Sequence, residues 1–253
     1  MKLGNFQIEL LCGGYMRADC GAMFGVVPKV MWEKKVKQDE ENKIRFAVRS
    51  IFIDTGLKKI LVDTGIGDKG DERFVEIFGV EREPGVVAEL KRLGVKPDDI
   101  DIVINTHLHF DHCGGNTYTD VDGKIRPTFP NARYMVQRGE YEDALNADER
   151  SRISYMPDCF QPLVESGQME LLDGDVEAAP GVWGIVVPGH TRCMMCIKAT
   201  SEGKTFFYPS DLIPTSHHIN YAWVAAYDLY PVETLKNKKK ILQQAAAEDW
   251  FML

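Results

Sequence analysis

The stretch NTHLHFDHCGG, residues 105–115, places His107, His109, Asp111 and His112 almost side by side. All six histidines of the chain fall into three clusters: these three, His190 in PGHT, and His217 and His218 in TSHH. Chance would scatter them more widely. In an extended segment, residues two apart project the same way, so His107 and His109 can grip one ion together. Asp111 and His112 come where the chain begins to turn, which aims them at a second ion nearby. Gly114 and Gly115 are expected to permit that turn through φ values other residues avoid. Imidazole and carboxylate ligands suit zinc, and also iron, manganese or cobalt. Two further candidates come after expected strands, His190 after GIVVPG and Asp211 after TFFYPS. A ligand at a strand end is held more rigidly than one in mid-loop.

The elements that must carry these residues are legible in the periodicity. Phe6, Ile8 and Leu10 alternate as in a strand. RSIFID and KKILVD, around Gly56, read as a hairpin. Residues 83–94 read as a helix starting near Pro84 and ending at Gly94. The run DIDIVIN, 99–105, is a buried strand leading straight into the histidine cluster. Residues 132–137 form another strand, with a helix after it over about 138–146. QMELLDGD and GVWGIVVPGHT read as strands parted by a turn at Pro180 and Gly181, and CMMCIKAT with TFFYPSD as a hairpin. Residues 232–247 form a helix, and DWFML opens a last strand. Strands therefore come in two batches, each ending in helix, with no linker between them. The whole chain, 1–253, reads as one domain. The longest irregular stretches, 14–45 and 212–231, carry aromatics and methionine, as loops that line a binding site do.

Composition narrows the function. A length of 253 residues with 44% apolar content is enough for a sizeable core. No apolar run approaches the ~20 residues of a membrane helix, and the start does not read as a secretory signal, because Glu9 interrupts its apolar stretch and no small-residue cleavage site follows. A cytoplasmic location and no membrane partner are expected. A net charge of −8 argues against a nucleic-acid partner. The one basic cluster, Lys236, Lys238, Lys239 and Lys240, reads as a solvated helix face. Six cysteines are too sparse for a disulfide scaffold and read as reduced thiols. The Cys193–Cys196 pair lacks a second CxxC and reads as two strand residues without special chemistry.

The order His107-x-His109-x-Asp111-His112, His190, Asp211 resembles the metallo-β-lactamase superfamily. The resemblance runs from ILVDTGIGD through NTHLHFDHCGGN and PGHT to YPSDLIP, nearly the whole chain. It implies an α/β fold of the four-layer αββα type, with the metals at one edge of two packed sheets. It implies a first metal held by His107, His109 and His190, a second by Asp111 and His112, and Asp211 bridging both. Asp63 matches a position that supports metal ligands from behind. A bridging Asp separates the sequence from class B β-lactamases, which place Cys there, and Asp111 separates it from the flavodiiron branch, which needs Glu. Acidity weighs against the nucleic-acid-cutting branches.

The look is nearest to the acyl-homoserine-lactone lactonases and the methyl-parathion-hydrolase-like proteins. Those groups use the segment equivalent to 14–45 to build the substrate pocket and often a dimer, so a homodimer is expected. The lactonases carry a Tyr shortly after the bridging Asp, where Leu212 to Ser216 stand here. His217 or His218 is a candidate for that part. PGHT is followed by Arg-Cys rather than the usual Pro-Gly. The resemblance also implies a last histidine beyond the final strand, and none comes after His218. A chain trimmed before that residue is the favoured account, with substitution by His217 or His218, or an impaired second site, as alternatives.

The expected function is a metal-dependent hydrolase. Hydroxide shared by two divalent ions, zinc first among the candidates, attacks a small apolar ester, lactone or phosphotriester. Asp111 moves the proton, and no organic cofactor is needed. Met23, Phe24, Phe110, His218, Tyr221 and Trp223 are the candidate substrate-pocket residues. The alternative class is an iron-dependent oxygenase or redox protein on the same fold.

Overall fold

The computed structural model describes all 253 residues. The first sheet opens with β1 (Lys2–Leu3), β2 (Phe6–Asp19), β3 (Lys43–Asp54), β4 (Lys59–Val62) and β5 (Ile102–Ile104). After a small separate hairpin, β6 (Thr117–Thr119) and β7 (Ile125–Pro127), it is completed by β8 (Arg133–Gln137) and β9 (Met169–Leu172). The second sheet is β10 (Val176–Ala179), β11 (Val182–Val186), β12 (Met195–Ser201), β13 (Lys204–Tyr208) and β14 (Phe251–Met252). The helices are α1 (Cys20–Phe24), α2 (Lys29–Trp32), α3 (Glu72–Phe78), α4 (Val86–Arg92), α5 (Phe110–Cys113), α6 (Arg138–Leu145), α7 (Gln161–Glu165) and α8 (Pro231–Ala247).

Strand alternation decides the layering. Ile51, Ile53, Ile60, Val62, Ile102, Ile104 and Met135 pack with Val182, Met195, Ile197, Ala199 and Phe206 of the second sheet. Their neighbours Phe52, Leu61, Val103, Tyr134 and Val136 face the other way, onto Val86 and Leu90 of α4, Ala144 of α6 and Leu163 of α7. Cys196 and Phe207 of the second sheet likewise turn outward onto Ile241 of α8. Central strands with both faces covered must be apolar almost throughout, which is why KILV and IVI read as continuous runs. The result is the expected αββα arrangement.

Several local expectations change. Residues 14–19 are not irregular. β2 continues through them after a register shift between Cys12 and Tyr15, and α1 and α2 occupy part of the stretch 20–45. The Gly13-Gly14 pair marks a bulge, not a break: a Cβ on Gly13 would lie 2.7 Å from Gly65 Cα. The expected 83–94 helix is shorter, Val86–Arg92, and begins after Gly85. QMELLDGD contributes its strand to the first sheet, and β10 intervenes before GVWGIVV. Lys238 is not on a solvated face. It is fully buried, and its ammonium donates to the Trp223 carbonyl at 2.5 Å. Cys193 lies outside the strand that holds Cys196, and all six thiols are free. No helix is long and apolar enough to cross a membrane.

Candidate metal centre

Four strand ends deliver the site. Asp63 comes directly after β4, and its N–H donates to the Ile104 carbonyl at the end of the parallel neighbour β5. Three residues beyond β5 stands His107. α5 is a single helical turn that carries Asp111 and His112. His190 lies just beyond β11, and Asp211 just beyond β13 in a short turn of 3-10 helix. Gly114 and Gly115 do act at the turn, but not through φ: Gly114 has ordinary helical angles, φ −56° and ψ −35°. A Cβ there would lie 2.0 Å from the Ile66 carbonyl oxygen, and one on Gly115 2.3 Å from that of Thr64. Glycine is required because the loop after β4 packs directly on the turn that carries His112.

Within this frame, ligand atoms of His107, His109 and His190 lie within 4.8 Å of one another, and so do those of His107, His112 and Asp211. Asp211 stands between the groups. Its Oδ1 is 3.3 Å from His112 Nε2, and its Oδ2 is 3.3 Å from His190 Nε2 and 4.0 Å from His107 Nε2. Asp111 Oδ2 is 3.6 Å from His112 Nε2, on the second group's side.

Outer partners commit the other ring nitrogens. His112 Nδ1 lies 2.8 Å from Asp63 Oδ2. The same carboxylate accepts the Thr106 N–H at 2.8 Å and the Thr106 hydroxyl at 2.8 Å. Asp63 thus stands behind the His112 imidazole and fixes its outer nitrogen. His190 Nδ1 lies 3.0 Å from Asp228 Oδ1, a buried residue that no sequence motif marks. Asp228 is placed by backbone bonds from Leu229 N to His190 O and from Tyr230 N to Gly189 O.

Burial tests whether the donors fit metal ions. His107 Nε2 is buried with no hydrogen-bond partner at all. An imidazole nitrogen stripped of water and left unpaired is costly unless something absent from the protein chain meets it. Burial, reinforced by neighbouring imidazoles, holds His107 and His109 well below the ordinary histidine pKa, in the neutral form that ligates metals. For His112, burial acts downward but is outweighed by Asp211, Asp111 and Asp63, so its pKa is raised. For Asp211, burial acts upward but is outweighed by His112 and His190, so it stays ionised. His190 behaves like His112: burial acts downward but is outweighed by Asp211 and Asp228, so its pKa is raised. Two imidazoles held neutral, His107 and His109, and two held toward protonation by the carboxylates around them make a donor set whose protons divalent cations would displace.

The cluster opens into a cavity of about 950 Å³ with a mostly apolar lining. Met23 and Phe110 line it, as do Met16 and Asp19 from the segment expected to shape it. Phe24, His218 and Trp223 do not reach it. Phe24 stacks between Trp32 and His218, with Trp223 at its edge, in a small core behind the wall. His218 is spent there, with Nδ1 2.8 Å from Thr215 Oγ1 and Nε2 2.9 Å from the Met23 carbonyl. His217 is no cavity residue either, and Tyr221 is surface, under Lys239. Two tyrosines outside every sequence motif pack on the histidines instead: Tyr155, buried behind the site with its ring 4.9 Å from that of His109, and Tyr227, 5.6 Å from that of His190. Tyr227 lines the cavity, and burial keeps its phenol protonated.

An αββα sandwich with clustered histidines and carboxylates at the edge of its two sheets defines a metal-binding protein of one architecture. The sequence profile described as the metallo-beta-lactamase superfamily matches residues 44–252, and the chain belongs to that superfamily. Among curated relatives, an N-acyl homoserine lactonase of Bacillus thuringiensis is 36% identical over 150 residues, which is 55% of this chain and 53% of the relative. An N-acyl homoserine lactonase AttM of Rhizobium radiobacter is 32% identical over 177 residues, 67% of this chain and 63% of the relative. The chain spans about half the length of the first of these. A probable metal-dependent hydrolase from Staphylococcus aureus superposes with a TM-score of 0.93 at 33% identity, covering 100% of this chain and 90% of that one. The dizinc quorum-quenching lactonase AidC gives 0.81 at 22% identity over 100% and 88%, a likeness of fold alone.

Proposed function

We propose that this protein is a hydrolase of small apolar esters or lactones, acting with two divalent metal ions. The observation that carries the reading is Asp211, whose two oxygens reach separate groups of imidazole nitrogens. His107, His109 and His190 would hold one ion, Asp111 and His112 the other, and Asp211 both. Zinc is the ion proposed, with manganese, cobalt and iron as alternatives. Such ions, when bound, polarise a carbonyl and lower the pKa of water from about 15.7 to about 7.

The chain's own residues supply the rest. Asp63 and Asp228 hold His112 and His190 by their outer nitrogens, so each ring presents Nε2 inward. Asp111 keeps part of its carboxylate open to the cavity, with 18% of its side chain exposed, and can take a proton from water and pass it to a leaving oxygen. Tyr227, a protonated phenol in the cavity wall whose hydroxyl meets Met23 Sδ at 3.0 Å, can exchange that weak sulfur acceptor for the substrate carbonyl, in the part for which no tyrosine directly follows Asp211. Apolar walls select an apolar substrate and exclude water. Lactone substrates are further supported by the relatives' activity. Exposed Val26, Val30 and Met31 are the apolar surface that the expected homodimer would cover.

The test is metal content of the purified chain together with turnover of a lactone, an aryl ester and a phosphotriester. Two metals per chain with lactone or ester turnover is expected. A metal-free protein without turnover, or iron accompanied by oxygen consumption, overturns the reading.

A further inference from the structure

Behind the metal centre lies a carboxylate with no contact to the cavity. Glu140 stands in the first turn of α6 and is fully buried. Its Oε1 accepts the Leu108 N–H at 3.2 Å, and its Oε2 accepts the Thr191 hydroxyl at 2.6 Å. The Tyr155 hydroxyl donates at 3.5 Å to Oε1, and the Tyr155 ring packs on His109. Leu108 separates His107 from His109, and Thr191 is the residue after His190. The first loop leaves β5 of the seven-stranded sheet and the second leaves β11 of the five-stranded sheet. One side chain is thus bonded to both loops that bring the first histidine group together across the sandwich. All three partners are donors, which an anionic carboxylate can accept at once. Burial pushes the Glu140 pKa upward, opposed by the bonds from Thr191 and Leu108.

The arrangement has a purpose in the geometry. His109 Nδ1 and His190 Nε2 are 2.9 Å apart, yet they come from different sheets and share no backbone ladder. Their spacing depends on whatever ties the two loops. We propose that Glu140 is a positioning residue, a clamp that joins the Leu108 N–H to the Thr191 hydroxyl and so sets the His109–His190 spacing for the first metal. The proposal rests on the metal-centre reading above. It predicts that Glu140 and Thr191 act as one unit on metal affinity.

Zinc affinity, by chelator competition, and the visible absorption of the cobalt-loaded protein are to be measured on the full chain as wild type, Glu140→Ala, Glu140→Gln, Thr191→Val and Thr191→Ser. Near-UV circular dichroism of the metal-free proteins reports folding. Glu140→Ala and Thr191→Val are expected to weaken zinc binding about 10–100-fold with a changed cobalt spectrum. Thr191→Ser should match wild type. Glu140→Gln, which still accepts the Leu108 N–H, should recover part of the loss. The double variant should be little weaker than Glu140→Ala, since both changes cut one link. Variants that melt lower but bind zinc as tightly as wild type would overturn the clamp and leave Glu140 a support of α6 alone. Should Glu140→Ala fail to fold, the Thr191 pair decides, because valine keeps the shape and removes only the hydroxyl. A wild type that binds no zinc refutes the metal-centre reading, and the clamp with it. That result is distinct from one in which wild type and variants bind alike.

Discussion

Replacing Lys238 by Met should make the stability difference between variant and wild type depend on pH. Lys238 is fully buried on α8, and its ammonium donates to the Trp223 carbonyl. Burial, against the attraction of Asp228, lowers its pKa from 10.5 to about 8. A lowering of that size corresponds to roughly 3 kcal/mol between the charged and neutral forms. Between about pH 8 and pH 10.5 the unfolded chain keeps a proton that the folded chain has released. Stability therefore rises with pH across that window, and below it the full penalty of the buried charge stands. Methionine fills similar space and does not titrate. Urea unfolding of both proteins at neutral pH and near the top of the window should show the wild type gaining up to about 3 kcal/mol on the variant. Subtracting the two removes the contribution of every other titrating group. A difference that stays flat, or that moves toward the variant as pH rises, refutes the idea that Lys238 is held charged against its burial.

Asp63→Ala should weaken zinc binding by about 10–100-fold in a chelator competition, because His112 Nδ1 and two Thr106 donors lose their common acceptor. Gly114→Ala should lower stability by about 1–3 kcal/mol in denaturant unfolding, since its Cβ would sit 2.0 Å from the Ile66 carbonyl. Gly123→Ala, with φ +75° but open space, should cost about 1–2 kcal/mol from backbone conformation alone and leave metal binding unchanged. Free zinc at about 100 times its Kd should add about 2.7 kcal/mol to stability, and a chelator should reverse the rise in Tm seen by calorimetry.

Whether a residue is legible in the sequence depends on whether it acts through local spacing or through distant contact. The HxHxDH spacing, the strand ends before His190 and Asp211, and the both-faces-buried runs are local, and each appears where the spacing puts it. Asp228 and Glu140 act through bonds to residues 38 and 51 positions away, and no local pattern distinguishes them from surface acids. Gly114 suggests freedom of φ, whereas its requirement is the contact with Ile66, an interaction that periodicity does not encode. A lysine run suggests a solvated face because lysines are mostly solvated. The helical spacing of Thr234, Lys238, Ile241 and Ala245, all buried, shows that position on the helix outweighs residue type. Phe24 and Trp223 have the character of cavity lining. Their mutual packing instead makes the rigid backing on which Met23 reaches the cavity.

The position of the site is set by the same alternation that builds the core. Central strands with both faces covered leave no direction in which a charged side chain can project from the strand body without losing water. Polar chemistry must therefore wait until the strand ends. β4 and β5 run parallel, so Asp63 and the His107 loop leave the first sheet at one edge. β11 and β13 are both antiparallel to β12, hence parallel to each other, so His190 and Asp211 also leave together. Asp63 and Ser210, next to Asp211, adopt left-handed backbone, with φ of 56° and 48°. Such conformations are uncommon outside glycine and turn each chain sharply out of its strand. The Ser210 hydroxyl then donates to Thr106 Oγ1 at 3.0 Å, joining the loops of the two sheets that carry Asp211 and His107. Packing the two sheets face to face thus brings four strand ends to one edge, and the bonds from Asp63, Thr106, Ser210 and Asp228 turn that edge into a site with fixed imidazoles.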